Sequence, residues 1–246
     1  MNFYLQMYSA RKTPLDDALS IVANCGYSGV ELYGDNFSDV SALETTLLAN
    51  KLTVPSMHVG IDALRNDLDN WTVQAERFGC ALIVCPFLEA DRRPTDGDGW
   101  KALGLELQQI AAELARADID FAWHNHDFEF QALGDGSMPI EHLLDNTSDV
   151  KWEIDVAWIA KAGADPLHWI EKYQQRICSV HMKDIAPEGD CADEDGWADV
   201  GEGVLPWKAI MLALGKTGAT FYITEHDNPS DLQRFASRSI AAAKSY

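Results

Sequence analysis

The amino-acid sequence predicts an α/β protein of the (β/α)₈-barrel class, built as a single domain. Short apolar runs rich in β-forming residues alternate with longer segments of helical period, as expected for parallel strands joined by crossover helices. Eight such apolar runs can be identified, and eight is the number of strands that a closed barrel of this class requires. The chain length of 246 residues also lies close to the roughly 250 that is typical of such barrels.

The predicted elements follow one another along the whole chain. The eight predicted strands are residues 3–8, 29–33, 53–59, 81–87, 120–126, 150–155, 177–183 and 220–225. The eight predicted helices are residues 14–24, 40–50, 63–78, 100–117, 139–145, 166–173, 206–214 and 229–243. Several of these helices begin at or near a proline, and Gly26, Gly79 and Gly215 stand where C-terminal caps are expected. Because no linker-like segment interrupts the order, residues 1–246 are predicted to form one domain.

An open, doubly wound α/β sheet is the structural alternative. Such a sheet usually carries a glycine-rich phosphate-binding turn after its first strand, but residues 8–12 contain no glycine. The Gly201-Glu202-Gly203 segment does not follow a predicted strand. A dinucleotide-binding site is therefore not expected.

The chain is strongly acidic, with 39 Asp and Glu against 19 Lys and Arg and a formal net charge of -20. A surface of this sign repels nucleic acid and anionic lipid, so neither nucleic acid nor a membrane is expected as a partner. A substrate with several phosphates is also disfavoured. The same charge is equally typical of a protein that is simply highly soluble.

The N-terminal residues 1–8 lack the basic and apolar pattern of a secretion signal, and no window approaches eighteen apolar residues, so a cytoplasmic location is expected. The five cysteines are an odd number, are widely spaced and include no C-x-x-C pair. We therefore expect reduced thiols rather than disulfides or a zinc knuckle.

Ionisable side chains are concentrated at the C-terminal ends of five predicted strands, where the active face of a barrel lies. They are His58, His124, His126, Asp127, Glu129, Glu153, Asp155, His181, Lys183, Asp184, Glu225, His226 and Asp227. Taken singly, each is readily explained as a loop cap or a satisfied polar group. Gathered at one mouth, carboxylates and imidazoles would repel or desolvate one another without a cation. The pattern therefore predicts a divalent metal with mixed oxygen and nitrogen ligands.

Residues two apart on a strand point to the same side, which divides these side chains into pairs. His124 pairs with His126, His181 with Lys183 and Glu225 with Asp227, and each pair can offer one metal ligand and one substrate contact. Glu153 shares a side with Asp155 but lies deeper, where a buried carboxylate is costly. An ion pair inside the barrel, an outward-facing register and a functional role all remain open for it.

Seven further segments run nearly from end to end of the chain: residues 29–33, 124–130, 154–155, 162–166, 176–184, 201–203 and 225–227. Together they resemble the xylose-isomerase-like TIM-barrel superfamily, in particular its sugar phosphate isomerase/epimerase group. That group also includes inosose dehydratase, hydroxypyruvate isomerase and ketose 3-epimerases. The resemblance implies a single-domain (β/α)₈ TIM barrel that acts on a small polyhydroxylated, sugar-like substrate. Barrels of this group often pair, so a homo-oligomer is compatible with it.

The resemblance also implies one divalent metal, bound through a Glu, an Asp, a His and a Glu from strands five to eight. The last three correspond to Asp155, His181 and Glu225. At the usual position of the first Glu this chain has His124, and Glu129 follows five residues later. The first ligand is therefore either His124 or Glu129, and Glu129 is slightly favoured. Mn, Co, Zn, Fe, Ni and Mg all remain possible as the metal.

The activity that the resemblance implies is removal of a proton next to a carbonyl, with the metal stabilising the resulting enediolate. The candidates for acid/base chemistry are Glu225, Glu129, His124 and His126. The candidates for substrate binding are His58, Lys183, Trp158 and Asp227. Trp158 stands where ketose epimerases carry a substrate-binding His, so the chain departs from the epimerase pattern at this position.

The same barrel leaves three alternatives to an isomerase or epimerase. A metal-dependent lyase that removes water from an inosose or a 3-keto sugar uses the same ligands, and the histidine-rich fifth strand favours it. A DNA-repair enzyme like endonuclease IV needs three metals and a basic surface, which the net charge of -20 argues against. A sugar or metal binder without turnover is the remaining alternative.

Two further features near the predicted mouth have both a structural and a functional interpretation. The aromatic residues Tyr8, Trp123, Trp158 and Trp197 either stack on a sugar or simply pack in the barrel. The acidic segment 187–200 either covers the pocket as a lid or forms a solvated loop.

Overall fold

Eight parallel strands close into a barrel in the computed structural model, which describes residues 1–246. The barrel strands are β1 (Phe3–Gln6), β2 (Gly29–Tyr33), β3 (Ser56–His58), β4 (Leu82–Cys85), β5 (Asp120–His124), β6 (Val150–Asp155), β7 (Ile177–Met182) and β10 (Phe221–Thr224). Each strand pairs with the next along the chain, and β10 pairs with β1 to close the barrel. A two-stranded antiparallel hairpin, β8 (Asp184–Ile185) and β9 (Trp197–Ala198), lies between β7 and β10. The predicted fold class and all eight predicted barrel strands are confirmed.

Nine α-helices accompany the strands. They are α1 (Leu15–Cys25), α2 (Val40–Asn50), α3 (Ile61–Phe78), α4 (Gly97–Leu114), α5 (Pro139–Asp145), α6 (Val156–Lys161), α7 (Pro166–Lys172), α8 (Trp207–Leu214) and α9 (Leu232–Ala243). Eight of them correspond to predicted helices. The ninth, α6, was not predicted because its six residues follow β6 without any intervening turn.

The predicted helix caps are largely present. Gly26 and Gly79 end α1 and α3 in the left-handed conformation, with φ of 87° and 64°, which glycine adopts without strain. Gly215 is the C-cap of α8, as predicted, but it adopts the right-handed conformation, with φ of -61°. Helix α9 begins at Leu232 rather than at residue 229, because the Asp231 side chain accepts a hydrogen bond from the N–H of Arg234.

The inner face of the barrel changes from apolar to polar along its length. Leu82, Val84 and Ala122 form a small apolar cluster of their own, apart from the large core that packs strands against helices. His58 is in register with Val84, so the two side chains share a face. His124 lies two residues beyond Ala122 on the same face of β5. The polar groups at the strand ends therefore lie above an apolar floor.

None of the helices has both the length and the hydropathy that crossing a bilayer requires. All five cysteines are unpaired.

Candidate metal centre and active site

Four buried side chains from neighbouring strands meet at the C-terminal end of the barrel. They are His124 and Asp155, the last residues of β5 and β6, His181 on β7, and Glu225 directly after β10. The Nδ1 atom of His181 lies 3.1 Å from Nε2 of His124 and 3.0 Å from Oε2 of Glu225. Nε2 of His124 lies 3.7 Å from Oδ2 of Asp155. Asp155, His181 and Glu225 are thus brought together as the sequence predicts.

The hydrogen bonding of Asp155 fits a bound cation. Its Oδ1 atom accepts hydrogen bonds from the N–H groups of Ala157 and Trp158, whereas its Oδ2 atom is buried and has no hydrogen-bond partner. A buried carboxylate oxygen without a donor is costly, and a positive ion at this point removes the cost. Two imidazole nitrogens and two carboxylates also match the donor set and the charge that a divalent transition metal requires.

Glu129, the favoured first ligand, does not join this group. It lies on a short 3₁₀ turn (Phe128–Phe130), fully buried, and accepts hydrogen bonds from Nε1 of Trp123 at 2.8 Å and from the N–H of His126 at 2.9 Å. Burial raises the pKa of Glu129 to about 8. The Glu129 side chain therefore holds the loop after β5, and His124, the alternative candidate for the first ligand, is the fourth member of the group.

A second group of four buried side chains shares His181 with the first. Oε2 of Glu31 lies 2.8 Å from Nε2 of His181 and 3.0 Å from Nε2 of His58. Oε2 of Glu153 lies 2.6 Å from Nε2 of His58 and 3.1 Å from Nε2 of His181. Burial alone would lower the pKa of His58, but the two adjacent carboxylates outweigh it and raise the pKa to about 9. Two carboxylates and two imidazoles thus alternate around one point inside the barrel.

Glu31 is the functional candidate that sequence reasoning missed. The available signal was a charged residue in the middle of the otherwise apolar strand Gly29–Tyr33. For Glu153, the structure selects the inward register among the open alternatives. Its partners are two histidines and Ser179 rather than an interior Lys or Arg.

A cavity of about 550 Å³ opens above the first group, within the size range of small-molecule sites. Of the predicted site residues, His58, His124, His126, Glu225 and Asp227 line this cavity. Burial, reinforced by His124 and Lys183, lowers the pKa of His126 well below its ordinary value. The Nδ1 atom of His126 is buried and has no hydrogen-bond partner.

Lys183 lies behind the cavity rather than in its wall. Its side chain is fully buried, and Nζ contacts Asp227 at 2.5 Å and Glu225 at 3.3 Å. Nζ also lies over the rings of Trp158 and Trp197, 4.9 and 4.2 Å from their centroids. Lys183 and Trp158 were both predicted to bind substrate, but neither lines the cavity. Lys183 instead contacts Asp227 and Glu225 from behind, and Trp158 packs against the Lys183 ammonium.

Among the aromatic candidates for stacking, Tyr8 lines the cavity. Trp123 and Trp197 are buried. Trp197 packs edge-to-face on Trp158, with ring centroids 4.7 Å apart. Packing is therefore the role that the structure gives to Trp123 and Trp197.

The acidic segment 187–200 borders the cavity. Glu194 is buried and accepts hydrogen bonds from Arg234 on α9, with both carboxylate oxygens 2.9 Å from Nη2. The N–H of Ser230 also donates to Glu194 at 2.6 Å. The next residue, Asp195, lines the cavity. The segment is thus anchored to α9 while it contributes a carboxylate to the cavity wall.

Comparison with known proteins gives one family and several relatives. The family model described as xylose isomerase-like TIM barrel matches residues 19–245. The rhizopine catabolism protein MocC of Rhizobium meliloti is 25% identical over 237 residues, which cover 84% of this chain and 72% of that protein. An inosose dehydratase of Lacticaseibacillus casei is 25% identical over 140 residues, which cover 49% of this chain and 44% of that protein.

Solved structures with the same fold include a sugar phosphate isomerase/epimerase from Parabacteroides distasonis. It superposes with a TM-score of 0.79 at 21% identity, covering 98% of this chain and 94% of that one. The IolI protein, solved with a zinc atom, gives a TM-score of 0.74 at 14% identity, covering 100% and 96% of the two chains. At these identities the likeness to solved structures establishes the fold.

Proposed function

Because the chain belongs to the xylose isomerase-like TIM-barrel family, we propose that it is a metal-dependent isomerase or epimerase of a sugar-like substrate. The observation that carries the proposal is the unpartnered, buried Oδ2 of Asp155 among His124, His181 and Glu225, directly below the cavity. A divalent metal held by these four residues supplies Lewis-acid stabilisation of the negative charge that develops when a proton leaves the carbon next to a carbonyl. The zinc in the related IolI structure supports this cofactor class.

His126 is the base that the geometry favours. It lines the cavity, and burial keeps its imidazole neutral at pH 7 by lowering its pKa. Its Nδ1 atom is buried without a partner in the protein, so we infer that the ring accepts the proton of the substrate at Nε2. Glu225 is the second candidate base, since its carboxylate also reaches the cavity. Return of the proton to the neighbouring carbon, with transfer of the hydroxyl proton to the former carbonyl oxygen, gives isomerisation. Its return to the opposite face of the same carbon gives epimerisation.

The charges of the cavity wall favour an uncharged, polyhydroxylated substrate over a phosphorylated one. Glu89, Asp195 and Asp227 line the cavity with one arginine, Arg11. The guanidinium of Arg11 lies 4.0 Å from the centroid of the Tyr8 ring and donates a hydrogen bond to the Tyr8 carbonyl. Carboxylates accept hydrogen bonds from sugar hydroxyls but repel phosphate. We therefore propose hydroxyl recognition by these carboxylates.

Removal of water is a second candidate reaction, favoured by His58. This imidazole lines the cavity, and its Nε2 atom lies between two carboxylates, which stabilise the protonated ring. A protonated imidazole at this point can donate its proton to a departing hydroxyl after a base has taken the proton from the adjacent carbon. The similarity to an inosose dehydratase supports this alternative.

Turnover in D₂O tests the proposal and separates the two reactions. Metal-loaded protein is incubated with ketoses, inososes and 3-keto glycosides, and products are followed by NMR and mass spectrometry. An isomerase or epimerase incorporates one deuterium next to the carbonyl and releases no water, whereas a dehydratase releases water. Both reactions stop when the metal is chelated, and His126→Gln lowers kcat by about 10²- to 10⁴-fold while metal content is unchanged. Undiminished turnover by chelator-stripped protein would contradict the proposal.

A further inference from the structure

The second group of buried residues is built from opposite sides of the barrel. In the closed strand order, β2 lies directly across from β6, and β3 lies directly across from β7. Glu31 on β2 therefore reaches Glu153 on β6 through the centre of the barrel, and His58 on β3 faces His181 on β7. The four Nε2 and Oε2 atoms alternate in a ring whose neighbouring atoms are 2.6 to 3.1 Å apart.

We propose that Glu31 and Glu153 are positioning residues that hold the Nε2–H of His181, and so direct its Nδ1 lone pair at the metal. The inference rests on the proposed metal-dependent function and adds to it a role for two carboxylates outside the ligand set. Metal-binding histidines commonly donate their second ring N–H to a carboxylate, which selects the tautomer and fixes the ring. Here one ring nitrogen meets two such carboxylates.

The carboxylates of Glu31 and Glu153 accept hydrogen bonds from their other neighbours, so the Nε2 atoms of the two histidines are expected to be donors as well. Glu31 accepts hydrogen bonds from Ser56 Oγ and Gln6 Nε2, and Glu153 accepts one from Ser179 Oγ at 2.8 Å. Both carboxylates are fully buried, so their charge is balanced within the protein rather than by bulk water. A bare Nε2 lone pair facing two carboxylates would be repelled, whereas an Nε2–H satisfies them. The neutral form of His181 that binds a metal therefore carries its proton on Nε2.

The other imidazole of the proposed metal site, His124, has no carboxylate at its second ring nitrogen. His124 directs Nε2 toward the group, but its Nδ1 atom is buried with no hydrogen-bond partner. Of the two imidazoles in the proposed metal site, only that of His181 is therefore held by hydrogen bonds at its second nitrogen. The same carboxylate ring holds His58 through Nε2, which leaves the other ring nitrogen of this cavity-lining residue for substrate. Glu31 and Glu153 thereby link the orientation of a metal ligand to that of a substrate contact.

Binding of Zn²⁺ and Co²⁺ alone to the full chain tests the proposal without any substrate. Nitrogen–proton correlation NMR of the Zn²⁺-loaded wild-type protein is expected to show His181 coordinated through Nδ1 and protonated on Nε2. Glu31→Gln and Glu153→Gln are each expected to weaken Zn²⁺ binding by about 10- to 100-fold. Both are also expected to alter the visible spectrum of bound Co²⁺, a change that a loss of overall stability does not produce.

Glu141→Gln is the matched control, since it makes the same chemical change at a partly buried carboxylate on α5 that bonds to Lys172 and the N–H of Met138. It is expected to bind both metals as the wild type does. Coordination of His181 through Nε2 would overturn the proposal, as would two metals per chain, which would make the carboxylate ring a metal site itself. Wild-type affinity in both Glu→Gln variants would also overturn it. The wild-type NMR result decides the question even where a variant fails to fold. Metal binding as described without turnover on any sugar would overturn the proposed function and support this inference.

Discussion

The Oδ1 atom of Asp155 accepts a 2.9 Å hydrogen bond from the N–H of Trp158, so the residue that ends β6 also caps the helix that follows it. The unpartnered Oδ2 of the same carboxylate faces the other three side chains of the proposed metal site, His124, His181 and Glu225. Asp155 therefore has two roles: its Oδ1 atom caps α6, and its Oδ2 atom is available to a metal. The hydrogen bonds to the first turn of α6 fix the position of the carboxylate. The two roles can be separated by mutation.

Asp155→Asn is expected to keep the cap and lose the metal. The amide oxygen of Asn accepts the same N–H groups, but its NH₂ group cannot bind a cation. Unfolding in urea without metal should give a free energy within about 0.5 kcal/mol of wild type. Asp155→Ala should lose both functions and be less stable by about 1 kcal/mol. If Asp155→Asn and Asp155→Ala destabilise the protein equally, loss of the helix cap does not explain the effect of the alanine substitution.

The two imidazoles of the proposed metal site are expected to contribute unequally to metal affinity. His181 is held from behind by Glu31 and Glu153, whereas His124 has no partner on its second nitrogen. His181→Ala should therefore weaken Zn²⁺ binding by about 10- to 100-fold more than His124→Ala, as expected from the loss of an oriented ligand. Competition with a chromophoric chelator measures both affinities. Losses of the same size in the two variants would contradict the asymmetry.

Much of the fold is predictable because its signals are local. The strands Gly29–Tyr33 and Val150–Asp155 and the helices Val40–Asn50 and Pro139–Asp145 begin and end where the sequence predicts. The fifth strand ends at His124, two residues before its predicted end, because the next turn brings Glu129 to the N–H of His126. That contact depends on loop conformation, which periodicity does not encode.

The metal group was predictable to the extent that it depends on strand ends. The rule that catalytic groups of barrels lie there places Asp155, His181 and Glu225 among the candidates, and the resemblance to the xylose-isomerase-like superfamily is what singles them out as metal ligands. The choice between His124 and Glu129 as the first ligand depends on the conformation of the loop after β5, so the sequence alone leaves both alternatives open. Glu31 lies 150 residues from its partner His181, and their contact arises only when the barrel closes. Pairings of this kind carry no local sequence signal.

The anchor between Glu194 and Arg234 is expected to make stability depend on pH in the acid range. Burial alone would raise the pKa of Glu194, but Ser230 and Arg234 outweigh it and lower the pKa to about 2, from an ordinary value of 4.5. Because the pKa is lower in the folded state, the contribution is complete above pH 4.5 and is lost as pH falls toward 2. After allowance for solvent screening, it amounts to about 1 to 2 kcal/mol.

Denaturant unfolding of the wild type and of Glu194→Gln, both without metal, measures this contribution. The wild type should be the more stable protein at pH 6, and the difference in free energy of unfolding should shrink between pH 4.5 and pH 2. Glu113→Gln, at an exposed carboxylate paired with the exposed Arg116, is a suitable control because exposed ion pairs contribute little. A difference between wild type and Glu194→Gln that does not change with pH would exclude the carboxylate charge as its source.

Removal of the metal from the proposed site of His124, Asp155, His181 and Glu225 is expected to lower thermal stability. A ligand that binds only the folded state at 100 times its Kd stabilises it by about 2.7 kcal/mol. For a chain of this size, that energy corresponds to a rise in Tm of roughly 5 to 10 °C. Calorimetry of chelator-treated and Zn²⁺-loaded protein should show this shift in the wild type and none in Asp155→Asn. A shift of equal size in Asp155→Asn would place the stabilising metal at a different site, since the amide leaves the helix cap intact but supplies no charged ligand at Oδ2.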